Sequence, residues 1–188
     1  MILYGKLVRL TGIEERDQIV LNRLMNDPTA EVGIESAFWP VSMAQQEQWF
    51  HSSLENLDCR RLAIREQEED DILGIVSIYK MDFKNRKFGT GIKLVGGGRG
   101  KGFAFDAMIT LLHFMFNEMN FHRAWTLILD TNLPSKRLFE KIGFIREGIL
   151  RKSAFKTGVY HNQFVYGLLR EDFFETAPKL DLYSNCEV

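Results

Sequence analysis

Alternating and continuous apolar residues predict seven strands along the chain. The first strand, GKLVRLTGI, begins at Gly5. RRLAIRE and DILGIVSIY form a hairpin across the acidic turn QEEDD, and RKFGTGIKLV adds a third strand to this meander. Its glycines, Gly89 and Gly91, are typical of a bulge or of a close approach to the backbone. The remaining strands are AWTLILD, FIREGILRKSAF and VYHNQFVYGLL.

Apolar residues spaced three and four apart predict four helices between these strands. The first covers Glu14–Met25, and the second begins at Ser42, which forms a capping box with Gln45. The fourth, in NLPSKRLFEKIGF, begins at its N-cap Asn132 and ends at Gly143. The third follows a glycine cluster and carries the apolar stripe Ala104, Ala107, Met108, Leu111, Leu112, Met115, Phe116 and Met119.

The order of these elements indicates the fold class. A strand, two helices, a three-stranded meander, a helix, a strand, a helix and a hairpin predict an α/β (α+β) domain with one mixed sheet. A chain of 188 residues is long enough for one such domain with its own core. We assign residues 1–176 to this domain, and the stretch 177–188, APKLDLYSNCEV, to a frayed C-terminal tail.

The glycine cluster GGGRGKG, at positions 96–102, places five glycines in seven residues directly before the third helix. It lacks the Gly-Lys-Ser/Thr end of a P-loop, and its glycine spacing does not match a dinucleotide fingerprint. It does fit R-x-x-G-x-A, from Arg99 to Ala104. The free N–H groups at the start of a helix favour an anion, so the loop is a candidate pyrophosphate site. A merely flexible loop is the alternative.

Composition narrows the functional classes. Apolar residues make up 45% and charged residues 26% of the chain, which is typical of a globular protein. A net charge of −1 provides no basic field for nucleic acid. We also expect no signal peptide, no membrane span and no metal site. The two cysteines, Cys59 and Cys186, are far apart without nearby metal ligands, which favours reduced thiols and a cytoplasmic protein.

The sequence resembles the GCN5-related N-acetyltransferase (GNAT) superfamily, and within it the RimJ/RimL-type ribosomal-protein N-acetyltransferase-like group. The resemblance rests on R-x-x-G-x-A together with N-x-x-S-x-x-x-F-E-K-x-G-F, from Asn132 to Phe144. It extends over roughly Gly5 to Phe174. It implies a mostly antiparallel mixed sheet flanked by helices, with a splayed strand pair at the cofactor cleft. It also implies direct transfer of an acetyl group from acetyl-CoA, as co-substrate, to a primary amine.

The resemblance assigns roles to individual residues. Amides of the glycine loop would hold the pyrophosphate, the strand end would pair with the pantetheine arm, and an amide near Ile92 would stabilise the oxyanion. Asn132 would hydrogen-bond the pantetheine in addition to capping its helix, and Phe139 would lie near the sulfur or else in the core. The implied cofactor-binding residues are Ile92, Leu94, Val95, Arg99, Gly100, Lys101, Gly102, Phe103, Ala104, Asn132, Ser135 and Phe139.

Three positions depart from the pattern of these relatives. Gly89 stands where many carry a glutamate, Phe139 where many carry a tyrosine acid, and Asn162 where many carry an aspartate. Neutralising a lysine-like amine at pH 7 costs about 4.6 kcal/mol, whereas an α-amine of pKa near 8 costs about 1.4 kcal/mol. A site poor in carboxylates therefore favours a protein N-terminus, an amino sugar or an amino acid over a polyamine or a lysine.

The remaining candidates for proton transfer are Glu35, Tyr160 and His161. Glu35 lies in the loop between the first two helices, and its alternative is a surface carboxylate. Strand alternation lets only one of Tyr160 and His161 face the cleft. A water relay without a dedicated base is a further option. Polyamine or antibiotic acetylation and a non-catalytic acyl-CoA-binding domain stay as alternatives, and the sequence leaves open whether the chain forms a homodimer.

Overall fold

The computed structural model describes residues 1–28, 39–55, 58–96 and 100–176. These residues form one eight-stranded sheet with the order β1-β2-β3-β4-β5-β6-β8-β7. Neighbouring strands are antiparallel except for β5 and β6, which are parallel. The strands are β1 (Leu3–Tyr4), β2 (Val8–Thr11), β3 (Cys59–Glu66), β4 (Ile72–Asp82), β5 (Lys87–Leu94), β6 (Arg123–Leu129), β7 (Ile145–Lys156) and β8 (Val159–Leu169).

The helices confirm the four predicted from the sequence and add one. The described helices are α1 (Gln18–Met25), preceded by a 3₁₀ turn, α2 (Met43–Glu55), α3 (Phe103–Asn117), α4 (Leu133–Ile142) and α5 (Arg170–Thr176). The capping box is confirmed, since Gln45 N–H donates to Ser42 Oγ at 3.2 Å and Ser42 N–H to Gln45 Oε1 at 2.9 Å. In the described part of the chain, no helix is long and apolar enough to cross a bilayer.

The predicted stripe of α3 is confirmed except at its end. Most of its members are buried, but Met119 lies beyond the helix and is 37% exposed. The reason is local, because Asn120 adopts a left-handed φ of 53° and turns the chain toward Phe121. The predicted boundary between residue 176 and a tail falls on residues outside the described part of the chain.

The two faces of the sheet are packed differently. Val76, Phe88, Ala124 and Tyr166 project from one face into the main core, which contains the buried side of α3. The opposite face carries a smaller core, in which α1 and α2 pack on Ala63, Ile72 and Ile75 through Leu21, Leu24 and Trp49. Because directly paired residues share a face, the strand register shows which side chains lie on the α1/α2 face.

Candidate active site

A fork between β5 and β6 is the main irregularity of the sheet. The two strands pair only from Lys87–Gly89 to Arg123–Trp125, although β5 continues to Leu94 and β6 to Leu129. Each keeps its outer neighbour throughout, β5 with β4 and β6 with β8. From Thr90 onward, therefore, the side of β5 that faces β6 has no strand partner. In mixed α/β sheets, such a gap at the carboxyl ends of parallel strands is where ligands bind.

The hydrogen bonds of neighbouring residues show which groups of β5 point into the fork. Arg86 O accepts from His122 N–H on the β6 side, and Val95 N–H donates to Leu73 O on the β4 side. Since consecutive residues of a strand point their main-chain groups to opposite sides, the groups of Thr90, Ile92 and Leu94 face the fork. The amide of Val95 instead takes part in the hydrogen bonding between β5 and β4.

The helix α3 begins beyond the open end of this fork. Gly102 is its N-cap and Gly100 lies in the preceding turn, and they have left-handed φ values of +86° and +81°. Gly102 has no side chain with which to cap the helix, whose first internal bond runs from Asp106 N–H to Gly102 O at 3.1 Å. The start of this 15-residue helix therefore offers amides to an anion. Arg99, part of the predicted loop, lies outside the described residues.

The carboxylate of Asp106 sits in the first turn of α3, but it faces the N-terminal segment. It accepts the backbone N–H groups of Lys6 at 3.0 Å, Leu7 at 2.7 Å and Val8 at 2.9 Å. Gly5 makes this contact possible, since a Cβ there would lie 2.4 Å from Asp106 Oδ2. Sequence analysis missed this attachment, because no local pattern joins residues about one hundred positions apart.

The helix α4 begins after β6, also beyond the open end of the fork. Asn132 caps it as predicted, with Oδ1 accepting Ser135 N–H at 3.1 Å, and Gly143 ends it with φ of +111°. Phe139 is buried in the main core, with its ring centroid 4.9 Å from that of Phe144. This is the core alternative considered for Phe139, and the predicted contacts of Asn132, Ser135 and Phe139 with a cofactor stay predictions.

Tyr166 of β8 holds α4 in place. Its buried hydroxyl donates to Glu140 Oε1 at 2.6 Å. Burial, and then the hydrogen bond to the Glu140 carboxylate, raise the pKa of Tyr166 to about 12. The C-terminal half of α4 is thus fixed relative to the sheet.

The candidates for proton transfer lie in different surroundings. Tyr160 is 62% exposed and its ring contacts Phe155 at 4.9 Å between centroids. His161 Nδ1 lies 3.4 Å from Oδ1 of Asp130, which directly follows β6. His161 is six residues from Gly167, the partner of Trp125 at the closed end of the fork, and so about 20 Å along β8. Glu35 lies outside the described residues.

The three positions that depart from the relatives have structural explanations. A Cβ at Gly89 would lie 2.2 Å from the ring of Tyr79, so this ring occupies the space of the expected glutamate. The Tyr79 hydroxyl donates to Thr90 O at 3.2 Å, and its ring lies edge-on to Trp125 at 5.4 Å. Phe139 is a core residue, and Asn162 Oδ1 accepts Lys152 N–H at 3.0 Å in a bulge of β7.

A shallow cavity of about 680 Å³ lies beside Tyr79 at the closed end of the fork. Hydrogen bonds from Asn85, first its backbone N–H and then its side chain, hold the pKa of Asp82 below its usual range. The lining residues are Asp58, Cys59, Tyr79, Lys80, Met81, Asp82 and Phe83. In the described part of the chain, no three His, Cys, Asp or Glu side chains are grouped so that they could hold a metal ion.

Comparisons with known proteins agree with this geometry. Residues 8–145 match the model of the acetyltransferase (GNAT) domain family. The SPbeta prophage-derived uncharacterized N-acetyltransferase YokL of Bacillus subtilis is 31% identical over 169 residues, which cover 90% of this chain and 93% of the relative. The putative ribosomal N-acetyltransferase YdaF of Bacillus subtilis is 28% identical over 105 residues, 56% of this chain and 57% of the relative.

A solved structure shows the same fold. The spermidine N-acetyltransferase from Vibrio cholerae, in complex with CoA and spermine, superposes with a TM-score of 0.83 at 20% identity. The match covers 90% of this chain and 99% of that chain. The expected mixed, mostly antiparallel sheet flanked by helices is thereby confirmed. With a family model that spans most of the domain and a relative of matching length, the chain belongs to the GNAT acetyltransferase family.

Proposed function

We propose that this acetyltransferase transfers the acetyl group of acetyl-CoA directly to a primary amine, within the RimJ/RimL-type group. The single observation that carries the proposal is the fork between β5 and β6, with the uncapped start of α3 beyond its open end. The fork offers an unpaired strand edge to an extended arm, and the helix start offers amides to a pyrophosphate. The name of the ribosomal relative supports the group assignment.

The fork-facing groups of β5 have distinct roles in this proposal. Thr90 O is already used by the Tyr79 hydroxyl, which leaves the groups of Ile92 and Leu94 to pair with the pantetheine arm. The Ile92 amide would also stabilise the oxyanion that forms when an amine attacks a thioester. Amides between Gly100 and Ala104 would hold the pyrophosphate, because left-handed glycines keep side chains away from them. Acetyl-CoA supplies the thioester and its thiol leaving group.

Proton removal from the acceptor sets the preferred class of amine. Tyr79 fills the place above Gly89 where a base could stand, and His161 lies 3.4 Å from Asp130, at the end of β6. An amine that is partly neutral at pH 7 needs little help from such a base. We therefore infer that a protein N-terminus, an amino sugar or another amine of modest pKa is the acceptor. The cysteine pattern favours a cytoplasmic location, and a homodimer is compatible with the proposal.

Polyamine acetylation is the second candidate. It is favoured by the fold shared with the Vibrio cholerae enzyme, whose name includes spermidine and whose complex contains spermine. The two candidates differ in the pKa of the acceptor by about 2.4 units, which corresponds to about 3.3 kcal/mol of deprotonation cost at pH 7. Without a dedicated base, this difference should appear directly in kcat/KM.

Thiol release from acetyl-CoA over a panel of amines tests the proposal. Amines of pKa near 8 should be acetylated faster at pH 7 than spermidine, and log kcat/KM should rise with pH up to the pKa of the acceptor. His161→Ala should leave this profile unchanged. Desulfo-CoA and acetyl-CoA should both raise the melting temperature. No thiol release with any amine, despite acetyl-CoA binding, would favour the non-catalytic alternative, and efficient spermidine turnover at pH 7 would favour the second candidate.

A further inference from the structure

On the α1/α2 face of the sheet, a row of small residues lies between the fork and β3. The strand register places Arg61 of β3, Ser77 of β4 and Gly91 of β5 side by side on this face. The adjacent row, toward the closed end of the fork, contains Cys59, Tyr79, Gly89 and Trp125. The row of Arg61 therefore contains two small residues, Ser77 and Gly91, and the rings of Tyr79 and Trp125 border it on one side.

Among the described residues, little lies directly above Gly91. A Cβ added to Gly91 would meet only the ring of Tyr79, at 4.0 Å, whereas a Cβ at Gly89 would lie 2.2 Å from that ring. Ser77 and Gly91 are partly exposed, while their neighbours Val76 and Ile78, which project to the other face, are buried. An acceptor that reaches the fork from this face can therefore pass over Gly91 and Ser77, and Arg61 is at the other end of that path.

Arg61 is a half-buried cation with a fixed orientation. Its guanidinium carbon lies 5.2 Å from the ring centroid of Trp49 on α2. Within the described part of the chain, Arg61 forms no ion pair with a carboxylate. An arginine stacked on an aromatic ring keeps the N–H groups at its edge available, and these match the oxygens of a carboxylate or a phosphate.

The neighbouring row toward the open end of the fork carries a second basic side chain. Lys93 lies on this face one row further, toward the open end of the fork, and contacts Met25 Sδ at 3.9 Å. Over Cys59–Ala63, Ile75–Tyr79 and Gly89–Lys93, these strands present no carboxylate to the face. The charge of these strand segments therefore favours an anionic group over a polycation.

We propose that Arg61 is a specificity-determining residue that binds a carboxylate or phosphate group carried by the acceptor amine. The inference rests on the proposed function, because it needs the amine to react at the fork. The strands β3 and β5 are separated by about 10 Å, two strand spacings. An arginine side chain is long enough to cover part of this distance, so the proposal requires the anionic group to lie only a few bonds from the amine. The substrate class is then a small anionic amine.

Two matched pairs of acceptors test the proposal with the same thiol-release assay. A dipeptide and its C-terminal amide carry similar α-amines but differ in the carboxylate, while an amino sugar and its 6-phosphate differ in the phosphate. The anionic member of at least one pair should have a kcat/KM about 10- to 100-fold above that of its partner, as expected for a charge-assisted hydrogen bond. The pair that shows the preference identifies the anion.

Variants assign the preference to one side chain. Arg61→Gln should abolish the preference through a higher KM for the anionic acceptor, without changing the KM for acetyl-CoA or the rate with neutral acceptors. Arg61→Lys should restore part of it, because the charge returns without the planar donors. Arg60→Gln is the matched control, since Arg60 is exposed and its neighbour in the ladder, Ile78, belongs to the opposite face. This control should retain the full preference.

The possible outcomes separate the two proposals. Equal kcat/KM values within both pairs of wild-type acceptors, or a preference for spermidine, would overturn the role of Arg61 while leaving the acetyltransferase reaction intact. An equal loss with anionic and neutral acceptors in Arg61→Gln would show a structural role only. If Arg61→Gln does not fold, the acceptor preference of the wild type and its partial loss in Arg61→Lys still test the role of Arg61. No thiol release from any acceptor would instead be a failure of the proposed function.

Discussion

Replacing Asp106 by asparagine should weaken the attachment of α3 to the N-terminal segment. The native carboxylate is buried and accepts three backbone N–H groups, one through Oδ1 and two through Oδ2. An asparagine has a single acceptor oxygen, and its amide group would face an N–H donor. If the oxygen takes the place of Oδ2, the bonds to Leu7 and Val8 persist as neutral bonds, and Lys6 N–H is left without an acceptor.

The expected loss follows from these three bonds. A hydrogen bond to a charged group contributes about 1.5–3 kcal/mol and a neutral one about 1 kcal/mol, while an unsatisfied buried donor costs about 1–3 kcal/mol. Two weakened bonds and one lost bond therefore lower the free energy of unfolding by about 3–5 kcal/mol. For a domain of this size, the melting temperature should fall by about 10 °C. Calorimetry and urea titration measure the two quantities.

Asp82→Asn is the matched control for Asp106→Asn. Asp82 also accepts a backbone N–H, that of Asn85 at 2.8 Å, but this bond is solvent-exposed. We expect a much smaller loss for this variant than for Asp106→Asn, because water replaces an exposed hydrogen bond. A similarly small loss in Asp106→Asn would show that the three bonds do not anchor the helix, and the reasoning would be wrong. A large loss in both variants would refute the dependence on burial.

Three further predictions concern the loop and α4. Gly102→Ala should remove most of the rise in melting temperature that acetyl-CoA produces. Gly158→Ala is the control, because Gly158 has a similar positive φ in the turn between β7 and β8, and this variant should keep the full rise. Equal rises in the two variants would contradict an anion site at the start of α3. Lys101→Ala should weaken acetyl-CoA binding only modestly in the same assay, because the amides carry the site, and a complete loss would indicate a lysine-centred site. Burial raises the pKa of Tyr166 to about 12, so the contribution of this group to stability should be complete below pH 10 and should fall as the pH rises from 10 toward 12. Tyr166→Phe should flatten that fall in urea titrations, and an unchanged slope would contradict the raised pKa of Tyr166.

The secondary structure was largely predictable from the sequence, because its signals are local. Apolar periodicity predicted α3, and side-chain capping predicted the starts of α2 and α4. The errors occurred where local signals are weak. The predicted first helix begins with a 3₁₀ turn, and α5, seven residues long, was not predicted at all. A short helix buries only Phe173 deeply, so it leaves little periodicity in the sequence.

The candidate site was predictable only in part. The loop at Gly100 and Gly102 and the cap at Asn132 have sequence signatures, since left-handed backbone and capping select particular residue types. The Tyr79 ring over Gly89 and the path from Gly91 to Arg61 have none. They depend on which strands are neighbours, and pairing brings together residues that are far apart in the chain.

The sequence by itself determined four of the five described helices, seven of the eight described strands, the glycine loop and the resemblance to acetyltransferases, because each depends on residues within a few positions of one another. The tertiary structure decided where β5 and β6 separate, which groups of β5 point into the gap, and that the carboxylate of Asp106 is turned toward residues 6–8. The physical reason is that the strand register with the lowest free energy depends on the burial of side chains across the whole sheet. Small glycines tolerate several such arrangements, so their local sequence cannot select the one that packing imposes.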